Sequence, residues 1–209
     1  MKKKTLTIAI ALVLVVALAV GATYAYLTAT TDKVTNTFSA GKVINDPENN
    51  FLLKEHEVQY NETTGQYEYT QAKDEVPTNT YDKLAPKTTA PKDPFIKFTA
   101  KIESPAYLFV KVTDTTTGIT ANVDKTKWTE LTGDDLNLGE GEKLYVYNDI
   151  ITVGTHSDPY YILANNQITA SATEAISGSL VFNGYLCQAA GFNSATEAFN
   201  QCFGTTTGA

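Results

Sequence analysis

His56 and His156 are the only histidines in the 209-residue chain, so any imidazole chemistry must run through them. His56 stands in Lys54-Glu55-His56-Glu57, where imidazole and carboxylate together supply two ligand types that zinc accepts. A zinc peptidase of the common kind needs more: two histidines one helical turn apart with a glutamate beside the first. These two are 100 residues apart in loop-prone stretches and read as solvent-facing side chains. The reading is therefore no catalytic residue, no metal ligand and no cofactor.

Other groupings lead to the same reading. Asp134-Asp135 with Glu140 and Glu142 has the charge of a calcium loop without its alternating ligand spacing, so it reads as a solvated acidic turn, with a weak calcium site as the alternative. Gly139-Glu140-Gly141-Glu142 lacks the Lys-Ser/Thr of a phosphate loop, and its carboxylates repel phosphate. Ser177-Gly178-Ser179 lacks the flanks of a nucleophile elbow. Tyr145-Val146-Tyr147 and Tyr160-Tyr161 offer rings for a sugar to stack on, yet tyrosines alternating along strands are ordinary sheet residues.

The elements that must hold these residues are mostly strands. Threonine is abundant and tyrosine numbers 12, against one methionine and one tryptophan, a balance that favours β structure. Val34 and Phe38 share one strand face with Asn36 between them. Residues 51–60 and 65–70 flank the turn-forming Asn61-Glu62-Thr63-Thr64 and read as a hairpin, followed by a proline-punctuated exposed connection over 76–92. Residues 95–102 and 107–112 alternate strongly around Glu103-Ser104-Pro105 and read as the core hairpin; further strands are expected at 144–151, 160–168 and 176–187. Together they predict a mostly β, two-sheet antiparallel sandwich of jelly-roll-like form.

Ser194 with Glu197 three residues later is a capping box, so a short C-terminal helix is expected over 194–203. Ala195, Ala198, Phe199 and Cys202 fall on one face of it, which turns Cys202 toward the strand carrying Cys187. No Cys-x-x-Cys motif suggests redox chemistry; a structural disulfide between Cys187 and Cys202 is expected, two buried free thiols being the alternative.

At the other end, Lys2 to Lys4, an apolar run from Leu6 to Val20 and small residues after it have the layout of a signal peptide. Thr23 and Ala25 set the cut between Ala25 and Tyr26, giving residues 1–25 as signal, 26–44 as an N-terminal strand and 45–209 as one sandwich domain. The remaining chain has 13 lysines, no arginine and 23 carboxylates, a net charge of about −10 that argues against nucleic acid as a partner. Secretion to the extracellular matrix or cell surface is the expected location.

Three blocks carry a family likeness: Tyr24-Ala25-Tyr26-Leu27 through Asn36-Thr37-Phe38-Ser39-Ala40-Gly41, the central Lys92-Asp93-Pro94 with Ala106 to Val112, and Tyr185 to Phe192 leading into Ser194 to Phe199. In these the chain resembles the TasA/camelysin family of secreted proteins of Gram-positive bacteria; between about Phe51 and Pro91 the likeness is weak. The resemblance implies export through a SipW-type signal peptidase and assembly into biofilm matrix fibres, copy to copy, with a minor anchoring subunit as a further partner. It also implies that the N-terminal segment is donated as a strand to the next subunit, here through Leu27, Ala29, Val34, Asn36 and Phe38. Camelysin-like members are classed as metalloendopeptidases, which gives one alternative function; a monomeric cell-surface adhesion module is the other.

Overall fold

The computed structural model describes residues 28–31, 43–171, 173 and 175–204. In chain order, the first strands are β1 (Thr28–Thr31), β2 (Phe51–His56), β3 (Val58–Asn61), β4 (Gln66–Tyr69), β5 (Glu75–Val76), β6 (Thr89–Pro91) and β7 (Phe95–Phe98). They are followed by β8 (Ala106–Asp114), β9 (Ile119–Thr120), β10 (Trp128–Leu131), β11 (Glu142–Tyr147), β12 (Tyr160–Tyr161), β13 (Gln167–Ala170) and β14 (Leu180–Gln188). Among the described residues, α-helix is limited to one turn at Pro47–Asn50 and the C-terminal helix at Ala195–Phe203. The mostly β expectation holds, and the helix lies where the capping box put it.

Among the described residues, every strand pairing is antiparallel. The largest sheet runs β1-β14-β8-β11-β10, a second runs β12-β7-β2-β5, a third β6-β13-β9, and β3 with β4 forms a hairpin. Period-two alternation sorts the side chains of the five-stranded sheet onto two faces. Leu108, Val110 and Val112 of β8, with Phe182 and Leu186 of β14 and Tyr145 of β11, join Phe51, Ile96 and Phe98 of the second sheet and Ile168 of the third in the main core. Phe109, Leu144, Val146 and Cys187 face the opposite way and form a second core with Ala198 and Phe199 of the helix. Each such fully buried aliphatic or phenyl side chain stabilises the fold by roughly 1.5 to 3 kcal/mol, so the two layers lock the middle strands from both sides.

Several local expectations are corrected. Residues 95–102 and 107–112 do not pair as a hairpin: β7 joins β2 and β12, whereas β8 joins β14 and β11. The chain crosses between sheets at Glu103–Pro105 because β8 is apolar on both faces and needs a covering layer on each. Residues 51–60 are two strands, not one. The backbone breaks at Glu57, and the Asn79 side chain bridges the gap by donating to the His56 carbonyl at 2.8 Å and accepting from Val58 N–H at 2.9 Å. The hairpin around 61–64 does form, with Tyr60 opposite Tyr67. The 76–92 connection is not wholly exposed: it carries β6, and Ala90 and Lys92 are buried. Residues 160–168 divide into β12 and the start of β13, and β10 has little sequence signal because Trp128-Thr-Glu-Leu offers only four residues of pattern.

Candidate functional site

β14 carries both features that set this molecule apart. Its inner edge pairs with β8 along all nine residues. Its outer edge pairs with β1, with Thr28 opposite Cys187, Ala29 opposite Leu186, Thr30 opposite Tyr185 and Thr31 opposite Gly184. An edge strand presents a row of backbone donors and acceptors that any extended segment of fitting register can satisfy. The proposed donor segment therefore meets its own chain at Thr28–Thr31. Of its named residues only Ala29 is placed; Leu27, Val34, Asn36 and Phe38, and the cleavage pair Ala25 and Tyr26, lie outside the described residues.

The face of β14 away from the main core is tied down covalently. Cys187 and Cys202 form a disulfide, with Cα atoms 6.5 Å apart and Cys187 wholly buried. The helix that delivers Cys202 starts where expected: Ser194 Oγ accepts from Glu197 N–H at 3.1 Å. The Glu197 carboxylate reaches back to Asn193 N–H at 2.8 Å, one residue beyond the N-cap N–H of the usual reciprocal bond. Phe199 and Phe203 then meet Tyr185 at 5.4 and 5.0 Å between ring centres, and Phe109 packs edge-on to Phe199 at 5.3 Å.

A second cluster lies at the junction of β2, β6 and β7. Lys92 Nζ donates to Glu55 Oε2 at 2.5 Å, with side chains 9% and 6% exposed. One residue along each strand, Asp93 Oδ2 lies 2.6 Å from His56 Nδ1, and Asp93 Oδ1 accepts from His56 N–H at 3.0 Å. His56 is thus held by a buried carboxylate, contrary to the solvent-facing expectation. Lys92 Nζ sits over the Tyr81 ring at 5.6 Å and the Phe182 ring at 5.9 Å, which reduces the cost of placing an ammonium here. Burial, then the Glu55 carboxylate, hold the Tyr81 hydroxyl well above the usual tyrosine range; burial and Asp93 do the same for Tyr69. Beside the cluster is a cavity of about 500 Å³ whose walls include Leu53, Tyr81, Ile119, Ile168 and Phe182.

This cluster was legible in part. Phe51, Leu53 and Glu55 share a parity in β2, and since Phe51 faces the core, so must Glu55. Its partner 37 residues away carried no local signal. Chemically the arrangement is a closed Lys92–Glu55 ion pair beside a hydrogen-bonded His56–Asp93 pair, and among the described residues no group of three or more His, Cys, Asp or Glu is placed to hold a metal ion.

The remaining sequence candidates sit in local hydrogen-bond, ion-pair and ring-packing networks. His156 makes a separate network, with Nε2 2.8 Å from the Thr152 carbonyl and Nδ1 2.9 Å from the Tyr160 hydroxyl. Glu142 pairs with Lys111 at 2.8 Å and accepts from Gly139 N–H at 2.9 Å, and Asp135 accepts from Asn200 at 2.7 Å. Tyr147 packs edge-on against both Trp128 and Tyr160. Burial pushes the Tyr145 and Tyr160 hydroxyls up to about 12. Gly178 has φ of +95°, and a Cβ there would lie 2.2 Å from the Thr115 carbonyl oxygen, so Ser177-Gly178-Ser179 is the tight entry into β14. Compared with known proteins, the chain matches no family model, no curated protein and no solved structure.

Proposed function

We propose that this protein is a secreted structural subunit of extracellular matrix fibres, in which the N-terminal segment of one copy adds as a strand to the sheet of the next. The observation that carries the reading is the position of β1: a short, threonine-rich strand N-terminal to the rest of the described fold, lying on the outer edge of β14 and joined to the next described residue, Val43, by eleven intervening residues. An identical strand from another copy would make the same backbone bonds in the same register. Own-chain and exchanged pairing then differ by the entropy of closing the connecting loop against the concentration of other copies. Because donor and acceptor are different surfaces, the contact is head to tail and propagates into a fibre. The disulfide and the helix behind β14 support the role, since they hold the acceptor strand rigid. The likeness to the TasA/camelysin family points the same way, and with it come export by a SipW-type peptidase and a minor anchoring subunit.

Electron microscopy of the protein starting at Tyr26, beside a chain starting at Gly41, tests this. Filaments are expected from the first and folded monomers from the second. Equal polymerisation by both would exclude strand addition from this segment.

A further inference from the structure

We infer that the cavity of about 500 Å³ beside the Lys92–Glu55 pair is a binding site for an uncharged, mainly apolar small molecule that presents one hydrogen-bond acceptor to the Lys92 ammonium. The inference goes beyond strand addition and does not rest on it. The volume falls within the range of about 300 to 1,000 Å³ that small-molecule sites occupy. Three sheets supply its apolar walls: Leu53 from β2, Ile119 from β9, Ile168 from β13, and Leu180 and Phe182 from β14. Ile168 and Phe182 are buried, whereas Leu53, Ile119 and Leu180 are only half-buried. Apolar side chains that line a hollow without filling it keep surface in water that a ligand of the same character would cover. The hollow is also held in shape by bonds of the protein's own. On one lip, the Tyr81 hydroxyl donates to the Pro91 carbonyl at 2.6 Å, and the Tyr67 hydroxyl donates to the Asp82 carboxylate at 2.8 Å while accepting from Lys83 N–H at 2.9 Å. On the other, backbone bonds of 2.9 and 3.1 Å join Ser177 to Thr117, and the Ser179 carbonyl accepts from Thr115 N–H at 3.0 Å. Thr78, Thr80, Ser177 and Ser179 line the cavity and are exposed, so both lips are polar and reach solvent. A site fixed in advance on both sides costs a ligand little ordering.

Charge decides the chemistry of the occupant. Lys92 and Glu55, both more than nine-tenths buried, line the cavity and cancel each other; the other charged lining residues, Lys54 and Asp82, are also of opposite sign. A charged ligand would bring an unpaired charge to this buried pair, so the occupant is neutral. The ammonium of Lys92 has three N–H donors and can accept nothing. Among the described residues its one acceptor is Glu55 Oε2 at 2.5 Å; around it lie the ring faces of Tyr81 and Phe182, which line the cavity too. A carbonyl oxygen at one end of an apolar ligand would take a second donor, while the ligand's body lay against Leu53, Ile119, Ile168 and Leu180. A ligand that offered only a donor would gain nothing from the lysine.

Prodan, an uncharged dimethylaminonaphthyl ketone whose emission moves to the blue in apolar surroundings, is titrated into the purified protein. Saturable binding with a blue shift is expected; no saturation up to the solubility limit of the dye would overturn the inference. Ile119→Trp and Leu180→Trp each place an indole in the cavity and should weaken Prodan binding about tenfold or more with an unchanged unfolding midpoint. A folded variant of either kind that binds the dye as tightly as the unmodified protein would put the dye elsewhere and overturn the site. Competition on the unmodified protein needs no variant: 2-acetylnaphthalene should displace Prodan about tenfold better than 2-ethylnaphthalene, which matches it in size but lacks the acceptor. Equal displacement would overturn the role given to Lys92. In the double variant Glu55→Met, Lys92→Met the preference for the ketone should vanish, and its persistence there would overturn that role as well.

Discussion

On one face of the five-stranded sheet, Phe109, Tyr185 and Cys187 meet the C-terminal helix through rings and a disulfide; on the other, Phe182 lies under the Lys92 ammonium and its Glu55 partner. Both devices join segments distant along the chain or separately folded, yet their physics differs. The disulfide acts chiefly on the unfolded chain, by shortening its free loop, and is indifferent to pH within the range where the fold persists. The ion pair acts within the folded state and carries the desolvation of two charges, so its contribution depends on both partners being present. The first lies beneath β14 and the second where sheets meet; under the proposed strand addition, the first would fix the edge that receives the strand.

Removing one half of the ionic device should have the largest effect. Glu55→Ala leaves the Lys92 ammonium buried without its carboxylate, at a cost of about 3 to 5 kcal/mol. The double variant Glu55→Met, Lys92→Met should recover most of it. Urea denaturation measures both, and a double variant no better than the single one would mean that shape, not charge, holds this junction. Next comes the covalent device: Cys202→Ser should cost roughly 3 kcal/mol for its 15-residue loop while leaving the main core intact. If the melting of this variant loses cooperativity for the whole sheet, the two faces are one unit and the comparison fails.

Smaller changes sharpen the contrast. Ser194→Ala removes the hydroxyl that accepts from Glu197 N–H and should cost about 1 kcal/mol, seen as faster amide exchange in the first turn of the helix. The smallest effect concerns acid. The Lys111 ammonium, then Gly139 N–H, hold the Glu142 carboxyl below its ordinary value of 4.5. A depressed folded-state value means stability that is present above the unfolded value and lost as pH falls through the folded one. Lys111→Met should therefore flatten the decline of unfolding free energy below pH 4.5, measured by denaturant titration at several pH values. Because the pair is partly exposed, the change should stay within about 1 kcal/mol.

Legibility followed the distance over which each signal acts. The helix and its cap were readable because Ser194, Glu197 and the apolar positions repeat within one or two turns, and the direction of that face led to the Cys187–Cys202 bond. The Tyr60–Tyr67 hairpin was readable because its turn residues lie between its strands. The inward side of Glu55 followed from strand parity, but nothing near it in the chain pointed to Lys92.

The amino-acid sequence by itself determined that this is a β-rich chain with a capped C-terminal helix, because alternation and capping are properties of neighbouring residues. Only the tertiary structure decided which strands pair. Phe95–Phe98 and Ala106–Asp114 look like two arms of one hairpin, yet they lie in different sheets, since β8 must be covered on both faces and β7 fills the gap between β2 and β12. The same is true of β1: a threonine-rich segment has no strong face to choose a partner, so its register comes from the backbone groups that β14 leaves open.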